Sequence, residues 1–255
     1  MQIKNVNLEN ATLLNEGISN ESYLIDNKYV FRYKKSDDDL FNKAKNEKIV
    51  LDKIKNYTFV EKIIDYDVST GQKLSLFIKD TTRLTPNKLE AKLLVDVLKM
   101  LHKNIKVNFS FKPFKRLYFY RKNVREKIDN NLEKAIINET KKLYKKYPLV
   151  FSHNDLVRGN MLFKNKQIYL LDFEYAGNNI ELFDIASFLS ENNIDNNELF
   201  DYFISQFNAT KKEVITMIQF QNILWYYWAE YNFLVTKKTI FKKIAIEKKN
   251  RLNNI

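Results

Sequence analysis

Along residues 11–33 apolar and polar positions alternate in short runs rich in β-branched and aromatic side chains. Residues 11–14, 21–26 and 29–33 are therefore expected as three strands, joined by turns at 15–20 and at Asp26 and Asn27. The period then changes. Leu40, Ala44, Leu51 and Ile54 recur at helical spacing, so a helix is expected from an N-cap at Ser36 to about Lys55. Asp37, Asp38 and Asp39 place negative charge at its positive end. Two further strands follow at 60–66 and 73–78, with Ser69, Thr70 and Gly71 as the turn between them.

Beyond residue 80 helical periodicity dominates. Pro86 marks a helix start, and Leu89, Leu93, Val97 and Leu101 trace one face. A long polar helix is expected over 113–146, until Pro148 breaks the pattern ahead of an apolar strand at 149–151. A hairpin follows, with strands at 161–163 and 168–173 around a polar turn. From 181 to the end the pattern is helical, including a long helix over 210–237. The order predicts a two-lobed α+β fold. A small N-terminal lobe over 1–80, an antiparallel sheet with one helix, precedes a larger, mainly helical lobe over 81–255.

Composition narrows the chemistry. The chain has 255 residues, 45% of them hydrophobic, enough for one large domain or two lobes. With no cysteine, disulfides, thiolate metal sites and a cysteine nucleophile are excluded, and two histidines leave no histidine-rich metal centre. The net charge is +12, but the lysines are scattered in pairs, such as Lys34 with Lys35 and Lys248 with Lys249, mostly beside acids. That distribution reads as solvated surface with no specific nucleic-acid partner, although anionic nucleotides or membrane surfaces would be attracted. The N-terminal ten residues contain no apolar run of the signal-peptide kind, and no stretch suits a bilayer span. A cytoplasmic protein is expected.

Two segments carry chemistry. The first runs from Phe151 through His153, Asn154, Asp155 and Asn160, and ends across the hairpin at Asp172 and Glu174. An apolar strand leads into a loop with an aspartate and, five residues on, an asparagine; a second strand then ends in another aspartate. Asn160 and Asp172 offer the amide and carboxylate oxygens that magnesium prefers when substrate phosphates complete its shell. Asp155 is left to accept a hydrogen bond from a substrate hydroxyl and orient it toward a γ-phosphate. His153 is expected to orient the loop, and His102 to complement a helix C-terminus. The second segment is the strand–helix pair. Glu47 falls within the apolar stripe of its helix and needs a cation, and Arg32 on the preceding strand faces the same way as Val30. Such a pair holds nucleotide phosphates in kinases. The turn at 15–20, with Gly17, could lie over those phosphates; neither a Walker A sequence nor a dinucleotide-binding glycine pattern occurs.

These residues resemble the choline/ethanolamine kinase family. The resemblance rests on residues 152–160, on 171–177 (Leu-Asp-Phe-Glu-Tyr-Ala-Gly) and on Phe183, Asp184, Ile185 and Ala186. It extends to residues 16–20, to 29–32 and to Asn46 with Glu47, but is loose over 112–146. It implies a protein-kinase-like fold that uses ATP and magnesium to phosphorylate choline to phosphocholine. Asp155 would be the catalytic base and Asn160 and Asp172 the magnesium ligands. Arg32, Glu47, Gly17, Ser19 and Asn20 would serve the nucleotide, with 80–84 as the hinge beside adenine. Trp225, Trp228 and Tyr231 resemble the aromatic element that holds a quaternary ammonium, and Glu191 the acid beside it. Ethanolamine, an aminoglycoside or thiamine are alternative substrates, and an inactive kinase-like binding protein the alternative class.

Overall fold

The computed structural model describes residues 1–16, 20–34, 41, 43–83, 85, 87–192, 194 and 197–253. Its first part is a five-stranded antiparallel sheet of β1 (Thr12–Glu16), β2 (Asn20–Ile25), β3 (Tyr29–Lys34), β4 (Ile63–Tyr66) and β5 (Lys73–Leu76). The order is β1-β2-β3-β5-β4, and α1 (Ala44–Ile54) crosses between β3 and β4. The strand period of two gives the sheet two characters. Ile25, Phe31 and Leu74 make a small core on one face, packed by Ile3, Val6 and Ala11. Val30, Arg32, Lys73 and Ser75 line a cavity on the other.

The helical part begins with β6 (Thr82–Arg83), α2 (Lys88–Asn104), α3 (Pro113–Asn123) and α4 (Asn130–Lys146). Then come β7 (Leu149–Ser152), β8 (Met161–Lys164), β9 (Gln167–Leu170) and β10 (Gly177–Ile180). The chain closes with α5 (Glu181–Glu191), α6 (Asn197–Ser205), α7 (Lys211–Thr236) and α8 (Thr239–Asn253). β6, β8 and β9 form one antiparallel sheet, and β7 pairs with β10. α7 is the central post. A capping box of Thr210 and Glu213 starts it, and Lys237 in the left-handed conformation ends it, which folds α8 back along it. Phe220, Tyr226 and Tyr227 are fully buried on it, and its burial runs round the helix as expected of a helix packed on several sides.

The predicted elements hold, with physically instructive differences. The helix expected over 113–146 is two helices, because Asp129 caps a new start by accepting from the amides of Asn131 and Leu132, and Val124 and Ile128 turn inward between them. The buried face of α2 is Ala91, Leu94, Val95, Leu98 and Leu101, while Leu89 is exposed. Lys43 precedes the first turn of α1; Ser36 and Asp37 to Asp39 lie outside the described residues. Residues 60–62 leave the N-terminal sheet. Val60 bridges Leu170, and the Leu170 amide donates to the Phe59 carbonyl at 2.8 Å, joining the sheet-bearing part to the hairpin.

Candidate active site

The loop after β7 is held from beneath by a residue to which the sequence reading gave no separate role. Asp184, fully buried in the first turn of α5, accepts from the amides of His153 (3.0 Å) and Asn154 (2.7 Å). His102 Nε2 lies 3.0 Å from the same carboxylate, so His102 anchors this loop and is no mere partner of its own helix terminus. Asn154 adopts a left-handed conformation (φ 67°), and its side-chain Nδ2 donates to the carbonyls of Ser152, Tyr175 and Gly177. Its Oδ1 accepts from Asn179. The strain of that backbone is offset by a fully bonded side chain. Gly177 sits in a tight place: a Cβ would come within 3.3 Å of the Phe109 ring and 3.4 Å of the Phe111 nitrogen, so a larger residue would need its neighbours to give by a few tenths of an ångström.

His153 orients the loop as expected. Its Nε2–H donates to the Leu171 carbonyl (3.0 Å), which leaves Nδ1 to accept from the Asp155 amide (3.3 Å). Burial lowers the His153 pKa, in keeping with a neutral ring in that tautomer. Asp155 emerges into the cleft and accepts from Asn160 Nδ2 at 2.8 Å. Burial, with the charges of Asp172 and Glu191, raises its pKa to about 7. The Leu171 amide donates to the Asn160 carbonyl, tying the asparagine to the segment that delivers Asp172.

Asp172 is also left-handed (φ 58°). Its Oδ1 accepts from Arg32 Nη1 at 2.7 Å, a contact that spans 140 residues. Arg32 Nη2 donates to Glu47 Oε2 (2.7 Å) and to the Gly71 carbonyl (3.1 Å). Burial alone would depress the Arg32 guanidinium, but Glu47 and Asp172 outweigh it and hold it well above its ordinary value. The same balance, through Arg32 and Lys73, lowers Glu47 although burial opposes it. The sequence-derived pair is thus part of a larger cluster that includes Asp172.

Arg32, Lys73, Asp155, Asn160 and Asp172 line one cleft of about 600 Å³. One end is bounded by Val30, Leu76, Phe77, Ile78 and Leu162, an apolar slot with backbone at its edge suited to a planar base. The edge lies at 76–78, just before the expected hinge span, of which Thr81 and Arg83 also reach the cleft. Asn20 lines the cleft with a buried Oδ1 that meets no hydrogen-bond partner among the described residues. Gly17 and Ser19 lie outside the described residues, as does Leu84. Asn160 Oδ1 and Asp172 Oδ2 accept no hydrogen bond among the described residues, so one amide and one carboxylate oxygen are open and would suit a hard cation such as magnesium.

The other end is aromatic. Trp225 and Trp228 meet edge to face at 5.8 Å, and Tyr175 packs edge to face on Trp225, also at 5.8 Å. All three line the cleft, with Glu191. Tyr175 was not singled out from the sequence for this role; its place in the loop following Asp172 was the available signal. Tyr231 does not line the cleft and packs edge-on against Phe119 and tilted against Tyr120 instead. Two lysines were missed. Lys73 is buried against Glu61 and lies 3.9 Å from Glu47; strand alternation puts it with Ser75 on the cleft face, a legible signal. Lys248, read as solvated surface, is buried, and its Nζ lies 2.6 Å from both oxygens of Glu191.

A sequence profile of the choline/ethanolamine kinase family matches residues 12–250. Protein LicA of Haemophilus influenzae is 28% identical over 188 residues, spanning 64% of this chain and 70% of that protein. Among solved structures, choline kinase LicA from Streptococcus pneumoniae superposes with a TM-score of 0.81 at 19% identity, covering 95% of this chain and 91% of that one. An ethanolamine kinase of Plasmodium vivax superposes with a TM-score of 0.76 at 20% identity, covering 98% and 83%. With the profile matching nearly its whole length, the chain belongs to the choline/ethanolamine kinase family and is an ATP-dependent phosphotransferase acting on a small-molecule alcohol.

Proposed function

We propose that the chain phosphorylates choline to phosphocholine. The observation that carries this reading is the placement of Trp225, Trp228 and Tyr175 at one end of the cleft that holds Asp155, Asn160, Asp172 and Arg32. A quaternary ammonium has no N–H to donate and is held by aromatic faces, which this end supplies. Asp155 accepts the hydrogen bond of the substrate hydroxyl and aims it at the γ-phosphate. Its raised pKa suits a group that receives a proton as the phosphoryl group is transferred. Asn160 Oδ1 and Asp172 Oδ2 would hold magnesium, which would supply neutralisation of phosphate charge when bound. Arg32, kept charged by Glu47 and Asp172, faces the phosphates from β3.

The test is ADP release with Mg-ATP and a panel of choline, ethanolamine, thiamine and aminoglycosides, with Asp155→Asn as control. Choline should give the highest kcat/KM, and Asp155→Asn should lower kcat by about a hundredfold or more. No turnover on any acceptor, or turnover indifferent to that substitution, would refute the reading.

A further inference from the structure

Glu191 is the acid expected beside the substrate's cation, yet a cation already holds it. Lys248 reaches it from α8, 57 residues further along, and its ammonium lies 2.6 Å from each carboxylate oxygen. The two side chains are 6% and 15% exposed, and both line the cleft beside Trp225 and Trp228. The pair is therefore a feature of the acceptor pocket's wall.

That arrangement treats two kinds of ammonium differently. A primary ammonium brings three N–H donors, each needing an acceptor once water is stripped away. At this end of the cleft Glu191 is neutralised, and both its oxygens are engaged by a primary ammonium of the chain's own. The neighbouring Glu247 is exposed and paired with Arg251 at 2.7 Å. A quaternary ammonium carries no such requirement and needs only ring faces and a setting without excess positive charge. The neutral Lys248–Glu191 pair leaves both. Resting on the amino-alcohol reading above, we infer that Lys248 is a specificity-determining residue: by occupying Glu191 it turns the pocket toward quaternary and away from primary ammonium alcohols.

The experiment compares kcat/KM for choline and for ethanolamine in the wild type, Lys248→Met and Lys248→Arg, with Mg-ATP saturating. Lys248→Met should move the choline-to-ethanolamine ratio at least tenfold toward ethanolamine, because it frees the carboxylate. Lys248→Arg, which keeps a cation on Glu191, should hold the ratio near that of the wild type. A Met variant whose ratio stays within twofold, or moves toward choline, overturns the inference. The wild type supplies a second readout that needs no variant to fold, namely competitive inhibition against choline by tetramethylammonium and by methylammonium. Tetramethylammonium should bind at least tenfold more tightly; equal inhibition overturns the inference. A wild type that turns over neither alcohol refutes the choline reading and this inference with it. Wild-type choline turnover with an unmoved ratio in Lys248→Met removes the role of Lys248 alone.

Discussion

Asp184 offers the sharpest test of how the site is held. Its carboxylate is fully buried and accepts from two successive backbone amides, those of His153 and Asn154, while His102 closes the third side. Asp184→Ala leaves the two amides and the imidazole without partners in a place water does not reach. A hydrogen bond to a charged group contributes about 1.5–3 kcal/mol, so losing the two amide bonds alone costs about 3–6 kcal/mol. Asp184→Asn keeps the shape and one acceptor oxygen but turns an NH2 toward a donor, and should cost about 2 kcal/mol. Urea unfolding followed by tryptophan fluorescence reads both, since Trp225 and Trp228 are the only tryptophans. For a chain of this size the alanine variant should melt roughly 6–24 °C lower. Asp155 follows directly after the two anchored residues, so the asparagine variant should also lose at least tenfold in kcat. An alanine variant within about 1 kcal/mol of the wild type would refute the claim that this carboxylate holds the loop.

Glu47→Ala leaves the buried Arg32 and Lys73 short of a shared anion and should cost about 3–5 kcal/mol by denaturant unfolding; a loss under about 1 kcal/mol would contradict that. The Glu213 carboxyl is held down to about 2: burial opposes this, but the bonds to Lys146 and Thr210 prevail. Because its folded pKa lies below the ordinary value, its contribution is present above about pH 4.5 and fades as pH falls toward 2. Glu213→Gln should thus be about 1 kcal/mol less stable than the wild type near neutrality, and the gap should narrow in unfolding curves from pH 6 to pH 3. Trp228→Ala should raise the choline KM about ten- to thirtyfold, whereas Tyr231→Phe, outside the cleft, should leave it within about twofold. Equal effects on KM would undo that distinction.

Sequence alone determined the parts whose signal is local. Alternation over 11–33 marked the strands, the helical pattern over 210–237 marked α7, and the spacing from Asp155 through Asn160 to Asp172 marked the chemistry. The Arg32–Glu47 pair was legible because a carboxylate inside an apolar stripe must find a cation, and the adjoining strand had one. Tertiary structure alone decided the partners that chain distance hides. Arg32 reaches Asp172 across 140 residues, and His102 meets Asp184 across 82. Tyr231 lies one turn beyond Trp228 but faces Phe119 and Tyr120, because successive steps of three residues drift round the helix and carry it about 120° from Trp225. Lys248 shows the limit most plainly. In sequence it is one lysine among many on a polar helix, and only the return of α8 along α7 at Lys237 buries its ammonium on Glu191.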